Sequence, residues 1–204
     1  MIPAEAPQNC LRCPRLVAYR RANAERHPDW WNGAVPSLGG PDARLLVLGL
    51  APGVSGANRT GRPFTGDPAG SLLWATLART GFAGDGARDC VVSNAVRCAP
   101  PRNRPTPAEI AACRPYLDAL LAALPRLRAV VCLGRIAHDA LLRALGLRLA
   151  AHPFAHGARH TLRTVEVFDS YHCSRLNTNT GRLTEPMFAS VFADVRRALD
   201  GSPA

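Results

Sequence analysis

The sequence predicts an α/β fold: a mostly parallel sheet with helices covering both faces. Three observations carry this. Four short apolar runs are spaced along the chain, amphipathic patterns lie between them, and the unusual polar residues gather just beyond the runs' C-terminal ends. Strands alternating with helices imply crossover connections and a sheet buried on both sides. In such sheets, ligands bind beyond the C-terminal strand ends.

The four predicted strands are Arg44 to Gly49, Cys90 to Ala95, Ala129 to Leu133 and Arg163 to Phe168. A helix is expected over Ala69 to Arg79, where Leu72, Leu73, Ala75 and Leu77 form an apolar face. The next, Pro107 to Ala123, opens on Thr106-Pro107-Ala108-Glu109, a capping box with proline in the first helical position. Arg135 to Leu145 is amphipathic, and a last helix follows Thr184 as N-cap with Pro186 in its first turn. Glu25 to Pro41 reads as a polar surface connection, and Gly49 to Gly70 as a long functional loop. With 204 residues, 47% of them apolar, the chain reads as one domain spanning 1–204.

Composition narrows the chemistry. All 25 basic residues are arginine, against 15 acidic residues, for a net charge of +10. Without lysine there is no P-loop and no side-chain amine for Schiff-base chemistry. The arginine excess points to a polyanionic partner such as nucleic acid. No apolar run is long enough to cross a membrane, and no secretory signal is expected.

Seven cysteines without such a signal suggest a reducing compartment, with metal ligation or buried thiols rather than disulfides. Cys10 and Cys13 form a C-x2-C pair. Cys98 follows a strand end, and Cys113 lies on the capped helix. Four thiolates from these two regions suit either a [4Fe-4S] cluster or tetrahedral zinc. Cys90 and Cys132 read as core residues. Cys173, beside His172, is a weaker candidate nucleophile. His152, His156 and His160 have helical spacing, but Pro153 and Gly157 interrupt it, which favours a loop with at most one structural histidine.

Three further segments stand out. They are Gly49-Leu50-Ala51-Pro52-Gly53 with the stretch Asn58 to Asp67, then Ser93-Asn94-Ala95-Val96-Arg97-Cys98, then Ser170 to Arg182. Together with the four cysteines, the chain resembles the uracil-DNA glycosylase superfamily, and most of all its iron–sulfur-containing family five of bacteria and archaea. The resemblance covers nearly the whole length. It implies a three-layer αβα fold, a [4Fe-4S] cluster on Cys10, Cys13, Cys98 and Cys113, and hydrolysis of the N-glycosidic bond of a deaminated base in double-stranded DNA. It also implies a range extending from uracil to hydroxymethyluracil, ethenocytosine and hypoxanthine. A monomer is expected, in the bacterial or archaeal cytoplasm and associated with the nucleoid. Missing lysine agrees with a monofunctional enzyme that leaves an abasic site.

By the same resemblance, Phe64 stacks on the flipped base, Asn94 reads its edge, and His172 donates to the leaving base as charge develops. Leu176 is the wedge entering the duplex, while Arg175, Arg59, Arg62 and Arg182 are expected on phosphates. Leu50-Ala51 stands where many superfamily members carry a polar or acidic residue, and a small Ala51 widens the pocket. Asp67 is then the candidate for positioning water or stabilising the sugar cation. An N-cap role competes with this, and both can coexist. Cys173 replaces the proline that usually follows the histidine, so a looser loop is expected there. A non-catalytic iron–sulfur DNA-binding or redox-sensing protein is the alternative.

Overall fold

A computed structural model describes residues 5–83, 89–162 and 164–201. Strands β1 (Leu45–Gly49), β2 (Cys90–Asn94) and β3 (Ala129–Leu133) are buried at every position. With β4 (Arg159–Thr161) and β5 (Glu166–Ser170) they form one sheet in the order β2-β1-β3-β5-β4. β1, β2, β3 and β5 run parallel, and only β4 is antiparallel. The sheet therefore has five strands rather than the expected four. β4, Arg-His-Thr, has no apolar run to announce it and is paired only along one edge. The fourth expected strand also lies further along the chain, at Glu166–Ser170. Its end is polar but fully buried, so hydropathy does not mark it. Arg163 lies outside the described residues.

Helices α1 (Pro14–Arg26), α2 (Ala57–Thr60), α3 (Pro68–Arg79), α4 (Pro107–Ala122), α5 (Arg135–Ala144), α6 (Arg175–Asn179) and α7 (Glu185–Gly201) complete the fold. On one face of the sheet, Leu45, Val47, Val92 and Val131 pack with Leu73 and Leu77 of α3 and Phe188 and Phe192 of α7. On the other, Leu46, Leu48, Val91 and Val130 meet Leu117 and Leu120 of α4 and Leu141 of α5. Three layers result, as period-two burial from both faces requires. The capping box forms as expected: Thr106 Oγ1 accepts from the Glu109 N–H at 3.2 Å, and Glu109 Oε2 accepts from the Thr106 N–H at 2.8 Å.

Two segments depart from the sequence reading. Glu25 to Pro41 is not merely a surface connection. Ala34 and Val35 are buried, Val35 N–H donates to the Arg97 carbonyl, and Leu38 bridges to Val92. Small apolar residues within a polar stretch leave little trace in a hydropathy pattern. The His152–His160 loop also uses more than one histidine. Asp169, wholly buried on β5, accepts from His138 Nδ1 at 2.8 Å and from His160 Nε2 at 3.1 Å. His138 Nε2–H donates to the His152 carbonyl at 2.9 Å. His156 Nδ1 accepts from the Tyr171 N–H, and the two rings stack.

Cys132, His138 and Asp169 bring three metal-ligating atoms within 4.8 Å of one another. Hydrogen bonds join two of the three, because both nitrogens of His138 face acceptors, Asp169 and the His152 carbonyl. Burial lowers the His138 pKa, but the Asp169 hydrogen bond and charge and the His152 carbonyl outweigh it, so the net shift is upward. The pair's stabilisation should therefore be complete below the unfolded histidine value of 6.5 and fade as pH rises through the raised folded value. Denaturant unfolding of wild type and His138→Gln across pH 5 to 9 checks this: their stability gap should narrow toward high pH, and a constant gap would remove the charged pair from the account.

Candidate active site

The C-terminal ends of β1 and β2 open onto a cleft of about 660 Å³. Its lining gathers Ala51, Phe64, Asp67, Asn94, His172, Arg175 and Leu176. The sequence candidates for base contact and chemistry thus share one cavity. Gly49 makes this convergence possible. It pairs with Asn94 in the parallel ladder, and a Cβ at Gly49 would lie 2.5 Å from Asn94 Oδ1 and 2.6 Å from Phe64 Cζ. Only a residue without a side chain lets the ring and the amide close over this strand end.

Phe64 is held in a costly conformation. Its φ is +50°, and its carbonyl accepts from Trp74 Nε1 at 2.8 Å. A Cβ at Gly70 would fall 2.0 Å from the same carbonyl oxygen, so α3 packs on the Phe64 backbone only because Gly70 is bare. The ring sits 5.9 Å from the His172 ring, tilted by 30°. Asn94 is 3% exposed, and its buried Oδ1 has no hydrogen-bond partner among the described residues. A buried acceptor left open is expensive unless a ligand satisfies it.

Asp67 divides its two oxygens. Oδ1 accepts from the Gly70 N–H at 2.8 Å, capping α3. Oδ2 lies over the glycine backbone of the first motif, 3.3 Å from where a Gly53 Cβ would stand and 2.3 Å from that of Gly56. Among the described residues, Oδ2 has no hydrogen-bond donor. His172 stands near enough to feel the charge of Asp67. Burial lowers the His172 pKa and Asp67 raises it, and the net shift is downward, so the ring is neutral at neutral pH.

The loop carrying His172 is pinned rather than loose. Cys173 is 2% exposed, and its thiol donates to the Ala69 carbonyl at 3.4 Å. Packing supplies the rigidity that a proline would have built into the backbone. Burial pushes this thiol up to about 12, which removes it as a nucleophile. Asn177 Nδ2 donates to the His172 carbonyl at 2.7 Å. Leu176, one residue earlier on α6, is 73% exposed. Arg175 and Arg62 are exposed too, whereas Arg59 spends its guanidinium on the Ser55 and Gly66 carbonyls of its own loop. Arg182 lies over the Tyr171 ring at 4.4 Å. Arg59, Arg62 and Arg182 are not part of the cleft lining.

A second cavity is lined by all four proposed ligand cysteines, together with Leu16, Val96 and Tyr116. Arg97 N–H faces Cys113 Sγ at 3.3 Å, and Arg20 Nη1 faces Cys98 Sγ at 3.7 Å. Cys13 precedes α1, so the C-x2-C turn and α4 meet across this cavity. An all-thiol donor set suits soft thiophilic metal centres.

The sequence assigns no role to four residues, of which Arg97 alone stands in a quoted motif. Tyr19, Arg102 and Asn103 line the cleft, and Arg97 is a guanidinium only 1% exposed, bound to Ser37 and Ser93. No spacing rule marks them. The proline-rich stretch around Arg102 was the one available signal.

The chain matches the family model described as the uracil DNA glycosylase superfamily over residues 36–196. It is 47% identical over 203 residues to a type-5 uracil-DNA glycosylase of Thermus thermophilus, covering 92% of this chain and 93% of that protein. A type-5 uracil-DNA glycosylase of Pyrobaculum aerophilum is 45% identical over 204 residues, covering 93% and 88%. A crystal structure of Pedobacter heparinus SMUG2 shares the fold, with a TM-score of 0.55 at 15% identity over 79% of this chain and 77% of that one.

Replacing Gly49 by alanine should overpack the strand end and cost about 1–3 kcal/mol of stability. A denaturant midpoint equal to that of wild type would show that Phe64 and Asn94 give way freely.

Proposed function

The chain belongs to the uracil DNA glycosylase superfamily, alongside its type-5 members, and from that premise we propose that it removes uracil from DNA by hydrolysing the N-glycosidic bond. The observation carrying this is the unpartnered Oδ1 of Asn94 in the cleft that Phe64 and His172 also line. A flipped pyrimidine supplies the N–H donor this acceptor lacks, while the asparagine NH2 meets a base carbonyl. Phe64 offers a face for stacking.

Base release builds negative charge on the departing ring. His172 is neutral and donates a hydrogen bond to that charge without giving up its proton. Asp67 Oδ2 is free to orient water and to stabilise the sugar cation, while Oδ1 keeps its cap. Leu176 fills the gap left in the duplex, and Arg175 holds a phosphate beside it. Ala51 leaves room for bases larger than uracil, which supports a broader range including hydroxymethyluracil, hypoxanthine and ethenocytosine. Lacking a lysine, the chain stops at the abasic site. Double-stranded DNA carrying a damaged base is the partner, bound by a monomer. No helix among the described residues is long and apolar enough to cross a membrane.

Cys10, Cys13, Cys98 and Cys113 fit a [4Fe-4S] cluster, since four thiols and no histidine or carboxylate line their cavity. The cluster supplies a structural staple when bound, joining the N-terminal turn to the segment after β2. Purified protein should hold about four iron and four sulfide per chain. Cys113→Ala should lose both and lose solubility, without acquiring a new base preference. Stoichiometric zinc instead would overturn the assignment.

Single-turnover base release from duplexes carrying uracil tests the chemistry. His172→Ala should slow it about 10²–10³-fold. Asp67→Asn keeps a capping oxygen and removes the charge, so it should lose rate while unfolding like wild type. Asp67→Ala should also lose about 1 kcal/mol of stability. Equal rates for wild type and Asp67→Asn would leave Asp67 as a cap alone. The acid limb of the rate should fall below 6.5, the ordinary histidine value.

A further inference from the structure

The cleft has a wall that the glycosylase reading does not use. Between β2 and α4, Pro101–Asn103 forms a single tight turn. Arg102 and Asn103 both adopt left-handed backbone, each at φ +55°. Asparagine tolerates this region and arginine does so rarely, so two such residues in succession are an outlier. Strain of this kind persists only where fixed surroundings impose it, and it gathers at functional sites.

The surroundings are fixed here. Pro100, Pro101, Pro105 and Pro107 stiffen the stretch. Arg15 grips Glu109 through two hydrogen bonds of 2.8 and 2.6 Å and donates to the Arg104 carbonyl at 3.1 Å. The tip itself is unused by the protein. Arg102 and Asn103 are exposed, and among the described residues neither side chain has a hydrogen-bond or ion-pair partner. Both nevertheless line the same cleft as Asn94, His172 and Leu176.

We propose that this turn is a second DNA-reading element. Arg102 binds a backbone phosphate, and the Asn103 amide hydrogen-bonds a base edge next to the flipped nucleotide. This rests on the glycosylase reading and adds to it a determinant of sequence context. The left-handed pair presents both side chains outward from one turn, a fork that a relaxed extended segment, with side chains on alternate sides, would not offer.

The test uses intact protein and uracil duplexes varied at the neighbouring and opposite bases. Duplex affinity is titrated against salt, and single-turnover release is measured at saturation. Arg102→Ala should reduce the slope of log affinity against log salt by about 0.9, one phosphate's worth. Asn103→Gly removes the side chain while relieving the strain, so it should fold at least as well as wild type. It should flatten a wild-type base preference of about fivefold or more. Arg102→Gly separates relief of strain from loss of charge, and should match Arg102→Ala in slope. Unchanged slope and unchanged preference, with uracil still released by wild type, overturn the proposal and leave the glycosylase reading standing. No release by wild type from any duplex overturns that reading instead, and the salt slope still decides whether Arg102 contacts phosphate.

Discussion

Everything in the cleft depends on one close approach, at the C-terminal end of the β1–β2 ladder. Gly49 faces Asn94 in parallel register, and the space where its side chain would stand is filled by the Asn94 amide and the Phe64 ring. Move either strand by one residue and the side chains exchange faces. The strained φ of Phe64, the bare Gly70 beneath its carbonyl and the Trp74 hydrogen bond all serve to keep that ring over the strand end. The cleft is therefore preorganised by backbone geometry, the cheapest means of holding an aromatic face and an amide in fixed relation.

The polar groups within it are rationed. Asp67 gives one oxygen to α3 and keeps the other free. His172 loses basicity to burial, regains part of it from Asp67, and has its carbonyl tied by Asn177. A neutral donor near a carboxylate and an unsatisfied amide oxygen suits a reaction in which charge separates, because each group meets charge only as it forms. The same residues would be a poor permanent binding site for an anion, since Asp67 would repel it.

Two clamps outside the cleft hold its walls. The cysteine cavity joins the start of α1 to α4, and Arg15, two residues beyond Cys13, reaches on to Glu109 and the Arg104 carbonyl. On the opposite side, Asp169 gathers His138 and His160, while His156 accepts from the Tyr171 backbone just before His172. Strand ends and loops that would otherwise fray are thus tied by hydrogen bonds, charge-assisted between Arg15 and Glu109 and deeply buried between His138 and Asp169.

The sequence by itself determined the layered parallel architecture, because fully buried strands must be continuous apolar runs. It also determined the α4 cap, whose signature is local, while Phe64, Asp67, Asn94, His172 and Leu176 were marked as candidates by the family resemblance of their motifs. It did not reveal β4, whose Arg-His-Thr carries no hydropathy signal, or the end of β5, where Asp169 and Ser170 are polar yet buried. Ala34 and Val35 gain their burial only from neighbours distant in sequence. The sequence left Asp67 between two roles and Cys173 between looseness and order. Tertiary structure showed the Asp67 cap and the anchored Cys173, since one depends on where a carboxylate oxygen points and the other on whether a thiol finds the Ala69 carbonyl. Arg102 and Asn103 lie beyond any pattern rule, because a left-handed backbone at non-glycine residues is imposed by the anchored ends of the turn and not by the residues that adopt it.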